Sequence, residues 1–465
     1  MPVSRMYKEF KEKFQGKLIL PDNHQYEEAR KVWNDLYDKY PAAIAKCKNS
    51  SEVQDAITFA RENKVELAVR GGGHDYAGNS VCDEGLVIDL SKMNKVEVDP
   101  DAKTADVQGG ATIGQLDEAT QKYSLAIPTG TVSSIGIGGL TLGGGSGYLS
   151  RKFGLTLDSL ISAEIVTADG KIVIASESEN EDLFWAIRGG GGNFGIVTSF
   201  KFRLHEVGPE VLFFQAYFPF KESSKILKFY REFMEDAPEE LQCYAFFLNV
   251  PPVDPFPKEF HGKTTCALVA CYAGDPQKGK AVLQPLVEIG DPIFNFQQNM
   301  KYPDIQKSFD AGMPKGLRWF TKAHYLPELN NSVISTILDF TASLSGAYTL
   351  AYLEPASGAI TRIPSTATAF PHRKKSYSFH IFPGWQNEED DEKNIEWAKD
   401  FYRAIKNESN GGVYVNLMSH DEKDRIRNAY GENFERLVEV KKKWDPNNLF
   451  RSNHNIKPAT EDLSR

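Results

Sequence analysis

The sequence predicts an α+β protein of two domains, on three observations. The chain has 465 residues, beyond the size at which a single core usually stops growing. Through about residue 205, short β-branched runs alternate with helical segments, and glycine clusters at Gly71–Gly73, Gly136–Gly147 and Gly189–Gly195 interrupt them. Beyond His205 the clusters vanish and longer strand-like runs alternate with helical stretches. That is the pattern of an antiparallel sheet with helices on one face.

Taken in order, residues 1–40 read as helical segments leading to Pro41. Ser51 with Gln54 has the spacing of a capping box, and Val53, Ile57 and Ala60 continue at helical period. Strands follow at 66–70, 86–90, 96–98 and 104–107, then a helix from Thr112 to Lys122. The stretch from Gly130 to Gly147 is too rich in glycine for a good helix or strand. Residues 161–167 and 171–174 form a hairpin around Asp169-Gly170, a strong two-residue turn signal. A short helix at 181–187 precedes a strand at 195–202.

The second half predicts strands at 211–218, 243–250, 264–272, 347–354 and 376–382. Helices are expected near 222–235, 276–287, 331–344 and 389–406, and a short strand at 413–417.

Composition narrows the functions. A net charge of −9 argues against non-specific nucleic-acid binding, which needs a basic stripe. No apolar window approaches the ~18 residues of a membrane span. The N-terminus MPVSRMYKEFKEKFQG is charged and has no apolar core, so no signal peptide is expected and a cytoplasmic location is. The five cysteines are Cys47, Cys82, Cys243, Cys266 and Cys271; they form no CxxC, and Cys266 and Cys271 sit at an odd offset on one strand, facing opposite ways. Reduced thiols are expected. The histidines are scattered, so no metal site is expected.

Three glycines in a row after the apolar run Leu67-Ala68-Val69 leave backbone N–H groups unshielded, able to form an anion-binding concavity. Arg70 and His74 bracket it. This suggests a nucleotide cofactor with its reactive ring near His74. A second glycine stretch, Gly190-Gly191-Gly192-Asn193-Phe194-Gly195, satisfies G-x-G-x-x-G, but β-branched residues follow where the dinucleotide fingerprint needs a helix. The Rossmann reading and NAD(P) binding are therefore rejected.

In sequence order, RGGGHDYAGNS, GIGGLTLGGGSGYLSRKFGLTLDSL, DLFWAIRGGGGNFGIVTSF, AFPHR, Tyr414-Val415-Asn416 and WDPNNLFRSNHNI give the chain a name. It resembles the berberine bridge enzyme-like FAD-linked oxidoreductases, within the vanillyl-alcohol-oxidase type FAD fold, in a prokaryotic-looking form. The resemblance implies a discontinuous FAD-binding domain, residues 1–205 with the returning segment 408–465, and a substrate-binding domain over 206–407. It implies that Arg70, Gly71, Gly72, Gly73, His74 and Asp75 wrap the pyrophosphate and that His74 is bonded covalently to the flavin. Gly130, Ser134, Gly136, Gly139 and Gly144 would line the flavin and pyrophosphate, Gly195 and Val197 the adenine side, and Asn416 would touch the isoalloxazine.

Three positions depart from the family pattern. Val132 stands where some members carry a cysteine that forms a second flavin bond, so one linkage is the limit. Phe153 replaces a tyrosine near the expected base. Ile135 occupies the position of a gate beside the flavin, where valine accompanies oxygen reactivity; this leaves O2 or another electron acceptor open.

Hydride removal from a CH–OH carbon needs a base for the hydroxyl proton. Tyr414 matches the family's Tyr-x-Asn, and its phenol, with an ordinary pKa of ~10, needs a stabilising donor or cation. His380 is the expected one. Arg318, Trp319 and Lys322 also match family positions and read as structural or pocket-lining. The expected activity is FAD-dependent oxidation of a small-molecule sugar, alcohol or secondary metabolite. The alternative is a structural or coat-type flavin carrier, in which Tyr414 and Asn416 would have no work.

Overall fold

The computed structural model describes residues 5–459. Three sheets carry the architecture. The first is four-stranded, in the spatial order Lys17–Ile19, Ala43–Lys46, Leu86–Asp89, Leu67–Arg70. Its last three strands run parallel and the first antiparallel. Leu86–Asp89 is buried throughout, as a parallel strand covered on both faces should be. The second sheet is antiparallel and five-stranded: Val96–Asp99, Thr104–Gln108, Ile196–Arg203, Leu160–Val166, Ile172–Ser176.

The third sheet has seven antiparallel strands, in the order Phe294–Lys301, Glu210–Pro219, Thr264–Tyr272, Leu241–Asn249, Leu350–Ala356, Ser376–Phe382, Lys322–Leu326. Period-2 alternation separates its faces. Phe214, Phe247, Leu268, Leu353 and Phe379 pack under the helices Ser223–Asp236, Pro276–Glu288, Asn331–Thr341 and Asp391–Ile405. Phe213, Tyr217, Tyr244, Phe246 and Val269 point the other way. Cys266 and Cys271 belong to opposite faces, as their odd offset requires, and all five cysteines are free and buried.

Several local expectations are corrected. Within 1–40, Arg5–Lys13 and Tyr26–Arg30 are helical, but Lys17–Ile19 is a strand held by pairing to Ile44–Lys46; residues 1–4 of the expected charged helix lie outside the described residues. The helix Ser50–Glu62 is capped by Asn49, whose side chain accepts from the Glu52 N–H at 2.9 Å. Ser51 is already inside the first turn, so the box with Gln54 does not form, whereas Thr112 and Gln115 form a full capping box on the next long helix.

Ile137–Gly143, expected to be irregular, is helical. Two of its glycines are required by neighbours: a Cβ on Gly138 would stand 2.9 Å from the Gly109 carbonyl oxygen, and one on Gly143 2.0 Å from Asn416 Oδ1. The expected strand at 413–417 is instead a tight 3-10 turn over Val415–Leu417. Among the described residues no strand pairs with it, so its bonds close locally, Leu417 N to Tyr414 O at 3.0 Å. The strands Phe294–Lys301 and Lys322–Leu326 were not expected; they are the two edges of the large sheet, where polar or short strands are favoured.

The C-terminal segment packs back onto the first two sheets. Lys441 and Asp445 form an ion pair with no solvent exposure, and Lys441 Nζ also donates to the carbonyls of Asn193 and Phe450, each at 2.8 Å. Among the described residues, no helix is long and apolar enough to cross a membrane, and no cluster of side chains could hold a metal ion.

Candidate active site

One cavity of about 430 Å³ runs between the glycine loops and the open face of the seven-stranded sheet. Its floor is Gly71–Asp75, Gly130–Val132, Gly136 with Gly138–Gly139, and Gly191–Asn193 with Gly195–Val197. Gly72 and Gly136 touch so closely that a Cβ on Gly72 would stand 2.3 Å from the Gly136 nitrogen. The two loops can meet only as bare backbone. Tyr76, Tyr244, Phe246, Tyr352 and Phe382 form an aromatic wall, and Tyr414 and Asn416 enter from the C-terminal segment.

Three predicted residues stand elsewhere. The Arg70 side chain is buried away from the cavity and donates to the carbonyls of Ala29, Arg30 and Ser80. It holds the loop's shape and does not line the cavity. Ser134 is not on the cavity wall; its Oγ lies 3.0 Å from His74 Nε2. Gly144, at φ 148°, backs the Tyr414 ring, where a Cβ would meet Cε2 at 2.9 Å. The remaining predicted positions (Gly71, Gly72, Gly73, His74, Asp75, Gly130, Gly136, Gly139, Gly195, Val197, His380, Tyr414 and Asn416) line the one cavity.

His74 stacks on Trp33, ring centroids 4.7 Å apart. Burial, then Lys315, pushes its pKa down to about 3, so the imidazole is neutral. The oxygen of Tyr414 accepts from the Gly145 N–H at 2.7 Å and from Asn416 Nδ2 at 3.0 Å. These two donors, not His380, hold the phenol. Burial raises its pKa to about 12, against the opposing pull of both donors.

His380 stacks on Tyr352 at 4.2 Å and places Nε2 3.6 Å from Glu354 Oε2. Glu354 is a buried carboxylate that also accepts from Ser146 Oγ. Sequence reasoning missed it. Its signal was a charged residue inside the apolar strand Leu350–Ala356.

Phe153 stacks on His205 at 4.3 Å, outside the cavity. Arg318 pairs with Asp391, Lys322 with Asp421, and Trp319 stacks on Trp33; none lines the cavity. Val132 and Ile135 both do.

A flavin dinucleotide fits this cavity. Glycine backbone faces it along its length, a neutral imidazole stands on its wall, and the buried Asn453 Oδ1, near the far end, has no protein partner. Gly191–Asn193, Asn453 and His454 would hold one end, Gly71–Asp75 and Gly136–Gly139 the middle, and His74, Tyr414 and Asn416 the other.

Comparisons with known proteins agree. A model of the FAD binding domain matches residues 41–176, and one of the berberine and berberine-like family matches residues 413–457. The chain is 33% identical to the FAD-linked oxidoreductase YvdP of Bacillus subtilis, covering 96% of this chain and 98% of that one. It is 31% identical to berberine bridge enzyme-like C-1 of Nicotiana tabacum, over 90% and 85%. The crystal structure of 6-hydroxy-D-nicotine oxidase from Arthrobacter nicotinovorans superposes with TM-score 0.86 at 25% identity, covering 96% and 98%. The class is thereby fixed as an enzyme, an FAD-dependent oxidoreductase, and not an inert flavin carrier. The chain belongs to the berberine bridge enzyme-like family, with the vanillyl-alcohol-oxidase type fold.

Proposed function

We propose that this enzyme carries FAD on a single covalent bond to His74 and removes hydride from a CH–OH carbon of a small molecule. The observation that carries the reading is the Tyr414 oxygen, gripped by Gly145 N–H and Asn416 beside the glycine floor. FAD, when bound, supplies the two-electron acceptor. Tyr414 takes the hydroxyl proton, and the two donors offset the negative charge that burial disfavours. A pKa of about 12 means that Tyr414 is protonated at neutral pH, so it must first give up its own proton; the phenolate then has a lone pair free for the substrate's proton beside the two that Gly145 and Asn416 hold.

Val132 cannot form a second flavin bond, which limits attachment to His74. The aromatic wall supports a substrate with a flat apolar body, so a ring-bearing secondary metabolite is favoured over a sugar. Residues 1–205 with 408–465 would hold the cofactor and 206–407 would cover the substrate. The test is anaerobic bleaching of the flavin with a panel of sugars, alcohols and phenolic metabolites, followed by admission of oxygen. Bleaching by a ring-bearing alcohol supports the reading; no bleaching by any CH–OH compound overturns it.

A further inference from the structure

The two edge strands of the seven-stranded sheet, Phe294–Lys301 and Lys322–Leu326, are joined by the segment 302–321. On its way this connection puts Phe309, Gly312 and Met313 into the cavity wall. Two of its side chains also grip the loop 129–135, which brings Gly130, Thr131, Val132 and Ile135 to the same cavity. Gln306, buried, donates through Nε2 to Thr129 Oγ1 at 2.7 Å and to the Gly130 carbonyl at 2.9 Å. Asp310 accepts from both donors of Ser133, from the N–H at 2.8 Å and from the hydroxyl at 2.5 Å. Asp310 itself does not line the cavity, and among the described residues its carboxylate has no cationic partner.

The helix Ile113–Thr120 holds the loop from its other flank. Its first two N–H groups, of Ile113 and Gly114, donate to the carbonyls of Ile135 and Ser133 at 2.9 and 2.8 Å. Those bonds fix acceptors only; the donors of Ser133 are left to Asp310. The next residue, Ser134, reaches His74. The connection also reaches the other neighbour of that histidine. Trp33, stacked on the imidazole, donates Nε1 to the Met313 carbonyl at 3.3 Å and accepts from the Gly316 N–H at 3.1 Å. Both flanks of His74 are thus tied to one link between the sheet edges.

We propose that Asp310 is a positioning residue for FAD: it holds the loop 129–135 in the shape that floors the cavity, so the large sheet's own connection sets how tightly the cofactor is kept. A loop held through both its carbonyls and its donors is ordered before the cofactor arrives. A loop freed on one side must be ordered by the cofactor, and that entropy is lost from binding. The proposal needs only that FAD occupies the cavity; it does not depend on the bond to His74.

In full-chain His74→Ala holoprotein, flavin fluorescence reads the rate at which FAD leaves on dilution. Adding Asp310→Ala should speed release by about tenfold or more, the worth of hydrogen bonds to a charged acceptor. Asp310→Asn, which keeps one acceptor oxygen, should fall between. Ser133→Ala should speed release less than Asp310→Ala and add nothing on top of it, because the two partners act as one contact. Lys307→Ala breaks an ion pair to Glu118 on the same connection, away from the loop, and should leave release unchanged. An unchanged rate in Asp310→Ala, or an equal rise in Lys307→Ala, overturns the proposal. A second measurement needs no exchangeable flavin. In the His74 enzyme, Asp310→Ala should speed hydrogen exchange of the peptide covering residues 129–136, with the hairpin about Asp169-Gly170 unchanged. Equal exchange in the two proteins overturns the proposal, and so does faster exchange in both peptides, which marks a fold-wide effect.

Discussion

His74 Nε2 stands 3.0 Å from Ser134 Oγ, and no protein group among the described residues bonds the other ring nitrogen. If Nε2–H donates to Ser134, the lone pair sits on Nδ1, the tautomer that a bond to flavin requires. His74→Ala should release all flavin on acid precipitation, while wild type should keep one FAD per chain in the pellet. Ser134→Ala should slow attachment by about fivefold, the worth of one neutral hydrogen bond. Gel fluorescence during flavin loading measures both. Freely extractable wild-type flavin refutes the linkage.

Tyr414→Phe removes the oxygen that Gly145 and Asn416 hold. Flavin reduction by a good substrate should fall by roughly 10²-fold or more, with the flavin spectrum retained. Stopped-flow absorbance under anaerobic conditions reads the rate. An unchanged rate assigns proton removal to another group, with His380 and Glu354 next.

Ile135 lines the cavity beside Gly136. A packed wall without voids excludes a diatomic molecule as well as a larger one. Reoxidation by air should be slow and turnover faster with a dye acceptor. Ile135→Val should speed reoxidation several-fold (about 1 kcal/mol, the worth of one buried methylene) with little change in substrate reduction. Equal oxygen rates in the two proteins dismiss the gate.

Asp117 is buried at the meeting of two helices, with Oδ2 3.3 Å from Gln306 Nε2 and Oδ1 unpartnered. Burial raises its pKa to about 7, against weaker opposition from Gln306 and Lys307. The unfolded chain loses this proton near ~4. Between those values the folded state binds the extra proton, so stability falls as pH rises from ~4 to about 7 and then levels off. Asp117→Asn does not titrate. Its advantage over wild type should grow across that window to a few (~2–4) kcal/mol, read from urea midpoints at successive pH values. A constant difference shows that Asp117 is ionised in the fold.

Much of this was legible in the chain because period and glycine clustering are local signals. The helix Glu181–Ile187 and the hairpin about Asp169-Gly170 lie where their residues predict. What was hidden depends on partners distant in sequence. Arg70 looked like a phosphate ligand because its side chain's three carbonyl acceptors lie on other segments. Ile137–Gly143 looked irregular because glycine propensity was read without the neighbours that demand Gly138 and Gly143. His380 was assigned to Tyr414, yet only strand register shows that it stands beside Glu354, whose own importance no short motif marks.

The cavity's walls also set an order of events in the cell. His74 and the glycine floor leave the ribosome early, whereas Tyr414, Asn416, Asn453 and the buried Lys441 brace come from the returning segment, translated after the whole seven-stranded sheet. Until that segment docks, the cradle is open along one side. A chain halted before Tyr414 would therefore present His74 and the glycine floor without the walls that the returning segment adds.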